Sequence, residues 1–281
     1  MKLAAIVIVY YPDINELKKN ILRYIDDVDV LLLWDNTPNG DYDRLIIDLP
    51  GYEQKIIWLA TGKNEYIAYP LNNAIGWCRA NQYTHLLSMD QDSLFEEGAF
   101  KLYKNKVNLN LGMKNAIFGV NPNNQFPIHE FLLKVDWFIT SGSIYDVNVI
   151  HSIGGFREDY EIDCVDNEIC FKANASGYNT LVDTNCILNQ IYGMPARSIF
   201  GFTTSGYSPF RTYSILCNHL LLWKEYPYKL SKELKFKIIK DYFIYRFIKI
   251  LLSEKGKTLK FLALFYGLID GLQGKRVKRF F

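Results

Sequence analysis

The chain has 281 residues, of which 49% are apolar and 15% aromatic, enough for a sizeable core and against intrinsic disorder. Its net charge of +2 hides a split: from Lys229 onward fourteen Lys or Arg stand against four Asp or Glu, a local +10, leaving −8 on residues 1–228. That acidic body argues against a nucleic-acid partner, and five scattered cysteines without zinc spacing argue against a disulfide framework and for reduced thiols in a cytoplasmic setting.

The apolar run Leu3–Tyr10, followed by Pro12, predicts a buried first strand and is too short for a signal peptide. A helix is expected over Asp13–Tyr24, opened by Pro12-Asp13. Val28–Trp34 reads as a second strand that ends in the turn-forming run Asp35–Gly40. Lys55–Leu59 predicts a third strand and Tyr69–Gln82 a helix with Leu71, Ala74, Ile75 and Cys78 on one side. Leu86–Met89 is the fourth strand. This alternation predicts an α/β fold, a mostly parallel Rossmann-like sheet with helices on both faces. No stretch reaches the ~20 consecutive apolar residues of a transmembrane helix.

Ligands of such sheets bind outside the carboxyl ends of the strands. Here those ends carry Tyr10-Tyr11, Asp35-Asn36, Thr61–Asn64 and Asp90–Ser93. Neither G-x-G-x-x-G nor G-x-x-x-x-G-K-[ST] occurs, which disfavours a conventional dinucleotide or P-loop site. The most informative segment is Leu87-Ser88-Met89-Asp90-Gln91-Asp92-Ser93. Residues i and i+2 of a strand share a face, so Asp90 and Asp92 can aim at one point as the chain leaves the sheet. Two converging carboxylates suit a hard divalent cation, Mg²⁺ or Mn²⁺, that shares its ligands with substrate phosphates. Taken alone, a polar strand-to-loop turn accounts for the same residues.

In the middle section, Ile117–Val120 and Trp137–Ser143 are expected as strands, and Val147–Ile153 as a short helix stopped by Gly154-Gly155. A carboxylate-rich run follows (Glu158, Asp159, Glu161, Asp163, Asp166, Glu168) and enters a helix over Asn167–Ser176 closed by Gly177. A solvated helix start would explain Asp166 and Glu168 through the dipole. Interleaved Ile162, Cys164 and Val165 argue against a wholly exposed loop. Beyond Ser208 helices dominate, and over Leu230–Leu252 the apolar Leu234, Ile238, Phe243, Phe247 and Leu251 recur at helical spacing. That pattern fits either a helical cap packed on a core or an amphipathic helix drawn to anionic lipid. Phe261–Tyr266 and Lys275–Phe281 set aromatics beside positive charge and favour the membrane. Two regions are therefore expected, 1–228 and a basic amphipathic helical region 229–281.

Together the segments resemble an inverting family 2 glycosyltransferase of the GT-A fold, most closely its rhamnosyltransferase branch. The likeness rests on Asp90-Gln91-Asp92-Ser93, then Thr140-Ser141-Gly142-Ser143, Ile153-Gly154-Gly155-Phe156 and the stretch Tyr160–Cys170. Ser208-Pro209-Phe210-Arg211-Thr212-Tyr213 and Gly267–Lys275 follow in family order, so the likeness runs over nearly the whole chain. It implies that Asp35 contacts the donor nucleoside, that Tyr10 and Asn64 line the base and ribose pocket, and that Asn72 stands beside them. It implies that Asp90 meets the ribose and Asp92 the metal and diphosphate. Asp166 takes the place of the general base, with Asp163, Glu168 and Ser141 on the acceptor side. Where the family usually has a histidine before an apolar pair and glycine, this chain reads Asn189-Gln190-Ile191-Tyr192-Gly193.

The implied activity is transfer of L-rhamnose from its dTDP donor to a glycan or lipid-linked acceptor in surface polysaccharide synthesis. The expected place is the cytoplasm, peripherally on the inner face of the membrane. Transfer from a UDP-hexose is the alternative within the class, and a non-catalytic nucleotide-sugar-binding protein the alternative outside it. A nucleotidyltransferase would carry a glycine-rich basic loop after the first strand, where this chain has Tyr10-Tyr11-Pro12-Asp13.

Overall fold

Strand β1 (Leu3–Val9) is buried along its whole length, as a strand covered on both faces must be. It runs between β2 (Val30–Asp35) and the later β4 and is parallel to both; β3 (Ile56–Ala60) lies parallel outside β2. The fourth strand, β4, is His85–Asp90. The computed structural model describes residues 1–40, 49–112, 114–190, 196–197, 203–204 and 206–279. Its internal contacts define two units, Met1–Glu161 with Val165–Ile191, and Ile162–Cys164 with Tyr192–Phe281. The change of charge at 228/229 falls inside the second unit.

In the first unit, helix α1 (Ile14–Ile21) starts at the predicted cap, where Asp13 Oδ1 accepts the N–H groups of Asn15 and Glu16. Helix α2 (Ala68–Ala80) buries Leu71, Ala74, Ile75 and Cys78, the face that the spacing predicts. After β4 come β5 (Ser93–Phe95), α3 (Ala99–Leu109), β6 (Asn115–Pro122), β7 (Leu133–Lys134) and β8 (Ser143–Asp146). Helix α4 (Val147–Ser152), helix α5 (Val165–Ala175) and the long β9 (Asn179–Gln190) complete the unit. The strand order is β3-β2-β1-β4-β8-β6-β9-β5, with β7 also on β9. The first four strands are mutually parallel and β6 is parallel to β9, whereas β8 runs antiparallel to both its neighbours. A core of Val7, Leu31, Leu87, Met89, Phe95, Phe100 and Tyr103 lies against one face of this sheet.

Trp137–Ser143 is not a strand. Only Ser143 pairs, as the first residue of β8. Ahead of it Gly142 turns at φ +78°, and Phe138 packs where Gly119 lacks a side chain; a Cβ there would meet its ring at 2.4 Å. The five cysteines are buried.

In the second unit a short antiparallel pair, β10 (Ala196–Arg197) with β11 (Thr203–Thr204), precedes helix α6 (Pro209–Glu225). The helix expected over Leu230–Leu252 is instead three pieces: α7 (Lys232–Lys237), a π-helical stretch (Ile238–Ile244) and α8 (Tyr245–Ser253). The widened turn puts Arg246 on the inner face, where Glu254 Oε1 and Oε2 take its guanidinium at 2.5 and 2.9 Å. Helix α9 (Lys257–Gln273) packs closely on α6 through two glycines. A Cβ at Gly267 would lie 2.8 Å from the Tyr213 carbonyl, and one at Gly271 2.7 Å from Leu220 Cβ.

Candidate active site

The sheet order reverses at β1, whose two neighbours are followed on opposite sides, and a crevice opens at such a point. Register places Asp35 opposite Val9 and Asp90 opposite Ile8, so the two acids flank the end of β1. Two strand spacings separate them, roughly 10 Å, about the span from a nucleoside to its phosphates.

Asp35 is buried, and its Oδ1 accepts the Thr37 N–H at 2.6 Å. The chain returns so close that a Cβ on Gly40 would sit 2.0 Å from Asp35 Oδ2, so any larger residue there would displace the carboxylate. Neighbouring Asn36 is buried as well; its Oδ1 accepts from Trp34 Nε1 and Glu65 N, and its Nδ2 donates to the Tyr66 carbonyl. This ties the end of β2 to the loop after β3, where Asn64 Oδ1 accepts the Tyr66 N–H at 2.8 Å. Tyr10 is 47% exposed and meets Tyr11 edge-on, with ring centres 4.6 Å apart. Asn72 spends its amide elsewhere: Nδ2 donates to the Phe156 carbonyl and Glu158 Oε1, and Oδ1 accepts the Phe156 N–H.

Asp90 is the electrostatic centre of the unit. Its N–H donates to Ser141 Oγ at 3.0 Å, and Ser141 Oγ in turn donates to Ser93 Oγ at 2.8 Å. Asp90 Oδ2 accepts from Gln190 Nε2 at 2.9 Å. Burial, reinforced by the Asp92 and Asp166 carboxylates, lifts Asp90 to about 7 against the pull of Gln190. Asp92 is exposed at the rim, and desolvation there raises its carboxyl above the ordinary value, with its own backbone N–H opposing. The structure thus brings Asp92 and Asp166 within the field of Asp90. Asp166 stands in the first turn of α5, its Oδ1 accepting the Asn167 N–H at 2.9 Å. Among the described residues no group of three or more His, Cys, Asp or Glu side chains could by itself hold a metal ion.

The other expected site residues divide. Glu168 is buried in an ion pair with Lys172, 3.1 Å away, and Lys172 also donates to the Gly155 carbonyl. Ser141 is fully buried and meets Asp90 only at its backbone N–H. Asp163 belongs to the second unit, where Arg211 holds its Oδ1 at 3.2 Å and Asn218 Nδ2 donates to its carbonyl. Its backbone sits at φ +63°, between Glu161 at +53° and Cys164 at +66°; three non-glycine residues in the left-handed region mark a strained segment of the kind found at functional sites. Asn189 lines a cleft of about 400 Å³ with Asp92, Gln91 and Asn123, and Ile191-Tyr192-Gly193 lie outside the described residues.

Two contributors escaped the sequence reading. Gln190 reaches Asp90 across a hundred positions of sequence, so nothing local announces it. Gln91, the middle of the acidic box, pairs twice with the Tyr10 backbone: Tyr10 N–H donates to its Oε1 at 2.7 Å and its Nε2 donates to the Tyr10 carbonyl at 3.2 Å. Asn20 Nδ2 holds the Gln91 carbonyl at 2.9 Å.

The sequence matches no family model and no curated protein. Among solved structures, the fold is similar to GalNAc-T7, crystallised with UDP, GalNAc and Mn²⁺, at 11% identity and a TM-score of 0.62 over 86% of this chain and 54% of that one. It is also similar to S. aureus TarS, at 14% identity and 0.56 over 98% of this chain and 49% of that one. Residues 1–349 of TarS in complex with UDP-GlcNAc match at 15% identity and 0.56, over 98% and 81%. The chain spans about half the length of the first two. The mixed sheet with flanking helices and a helical C-terminal extension is the GT-A glycosyltransferase fold.

Proposed function

We propose that the chain is a nucleotide-sugar-dependent inverting glycosyltransferase. The observation that carries this reading is Asp90: a carboxyl lifted to about 7 by burial and by two further carboxylates, at the end of β4 beside the sheet's crevice. Negative charge gathered in a crevice is a ready seat for a cation shared with a diphosphate. The all-oxygen donor set of Asp90 and Asp92 fits Mg²⁺ or Mn²⁺, which Asp92 at the open rim would hold together with the donor's phosphates. When bound, such an ion neutralises the charge growing on the departing diphosphate.

The chain's own residues take the remaining parts. Asp35 and the exposed Tyr10 side chain bracket the nucleoside, with Asn64 shaping the loop beyond. Ser141 and Gln190 fix the Asp90 carboxylate through its N–H and its Oδ2. Inversion requires one displacement, in which the acceptor hydroxyl attacks the anomeric carbon opposite the leaving diphosphate. Asp166 takes the hydroxyl proton in that step. No acid is needed to protonate the diphosphate oxygen, so the carboxylates are not a glycosidase pair. Asp163 and Glu168 act on the acceptor side, the latter by holding Lys172.

The donor we favour is dTDP-L-rhamnose, on the motif order of the chain, and the acceptor a glycan or lipid-linked saccharide of a surface polysaccharide. A UDP-sugar is the second reading, favoured by the UDP and UDP-GlcNAc in the structures of GalNAc-T7 and TarS. Nucleoside diphosphate release measured across dTDP-, UDP- and GDP-sugars with Mn²⁺ tests both. Release from dTDP-rhamnose alone supports the first and release from a UDP-sugar the second. Binding without release from any donor would leave a sugar-nucleotide receptor, not an enzyme.

A further inference from the structure

Helix α9 carries apolar side chains on two opposite sides, yet only one side is covered. Ala263, Leu264, Gly267 and Gly271 face inward, with Gly267 and Gly271 seating it on α6. The opposite side shows Leu259, Leu262, Phe265, Ile269 and Leu272, each between 44% and 58% exposed. A helix with apolar side chains on opposite sides calls for an apolar surrounding on both. Phe247 touches both Phe261 and Phe265, which extends the surface onto α8, where Ile248, Leu251 and Leu252 are 40–47% exposed.

Charge decides what covers this surface. From Tyr242 onward Glu254 and Asp270 are the only carboxylates. Both are buried: Glu254 is held by Arg246 and Lys260, and Asp270 by Arg279 through two bonds of 2.8 Å. The exposed charged side chains of this region are therefore cations, set among apolar residues with a few uncharged polar ones such as Thr258 and Gln273. Lys255 and Lys257 stand exposed at one end of α9 and Lys275 and Lys278 beyond the other. A second copy would bring one +10 segment against another, which opposes self-association. No helix among the described residues is long and apolar enough to cross a bilayer. We propose that the outer face of α8 and α9 docks in the plane of an anionic lipid surface, the apolar residues entering the acyl boundary and the lysines meeting the headgroups. This inference stands apart from the sugar-transfer reading and needs no substrate.

Co-sedimentation of the full chain with vesicles tests it. Strong binding is expected to phosphatidylglycerol and phosphatidylcholine in equal parts and weak binding to phosphatidylcholine alone. Each of Lys255→Gln and Lys257→Gln should weaken partition about fivefold, and Leu262→Asp or Ile269→Asp about tenfold or more. Both apolar positions point away from α6, so circular dichroism and thermal unfolding should match the parent. Light scattering provides the second readout. A vesicle-inert monomer would overturn the proposal, as would a dimer that the Asp variants dissociate without affecting vesicle binding. Equal binding to both vesicle types would remove its electrostatic half and overturn it as stated.

Discussion

Asp90→Asn should make the ligand-free protein more stable, and increasingly so as the pH rises. In the folded state the carboxyl is held at about 7; unfolded, it returns to its ordinary 3.8. Below pH ~4 both states keep the proton and the group has no effect. Between pH 4 and 7 the unfolded chain releases its proton and the native one does not, so stability falls; above 7 the penalty is complete. At 1.36 kcal/mol per pH unit the full penalty is roughly 4 kcal/mol, and solvent at the open rim of the site reduces it to about 2 kcal/mol. The asparagine keeps an oxygen for Gln190 and the backbone N–H for Ser141, so only the charge is removed. Urea unfolding followed by tryptophan fluorescence is the assay, since Trp34, Trp58, Trp77 and Trp137 all lie in the first unit. The gain of the variant over the parent should increase by about 1–2 kcal/mol from pH 5.5 to 8.5. Mn²⁺ with nucleoside diphosphate should close the gap, because the ion stabilises the ionised parent and not the amide. A difference that stays constant with pH, or a variant less stable at pH 8.5, would refute the reasoning.

Two further outcomes follow from the same geometry. Asp166→Asn keeps the shape and the Asn167 contact but loses the proton acceptor, so turnover should fall ~10²–10⁴-fold with nucleotide affinity unchanged; near-normal turnover would move the base to Asp163 or another group. Asp92→Ala should abolish the Mn²⁺-dependent part of nucleoside diphosphate binding in calorimetry while the circular dichroism spectrum is kept, and unchanged affinity would remove Asp92 from the metal.

The parallel half of the sheet was open to reading because its strands are buried on both faces and so appear as unbroken apolar runs, as in Leu3–Val9 and Val30–Asp35. Strand β9 hid itself. Its sequence NTLVDTNCILNQ looks like a loop, yet Thr180, Asp183 and Thr184 are buried because distant groups satisfy them. Thr180 donates to the Val135 carbonyl, Lys106 pairs with Asp183 at 2.7 Å, and Thr184 Oγ1 accepts the His129 N–H at 2.7 Å. Polarity read along the chain cannot foresee partners tens of residues away. The break at Ile238–Ile244 was hidden for a related reason: the apolar spacing continues through it, and the turn widens to aim Arg246 at Glu254. At the site, the acids were legible as a motif, whereas Gln190 and the Ser141–Ser93 pair that orient Asp90 are assembled only by strand order.

The residue between the two acids has a consequence for how that motif should be understood. Gln91 offers one carbonyl and one N–H to a single backbone residue, as a peptide group would, and so adds a rung to the β1–β4 seam beyond its last strand pair, Ile8 with Asp90. β1 and β4 are thereby held together one step past their last pair, at the base of the crevice. Asparagine would be a methylene too short for both bonds. Glutamate would lose the donor and add a further negative charge beside a carboxyl already reluctant to ionise. What reads as two acids around a blank is, in this chain, three specified positions, and the middle one ties together the strand ends that carry the outer two.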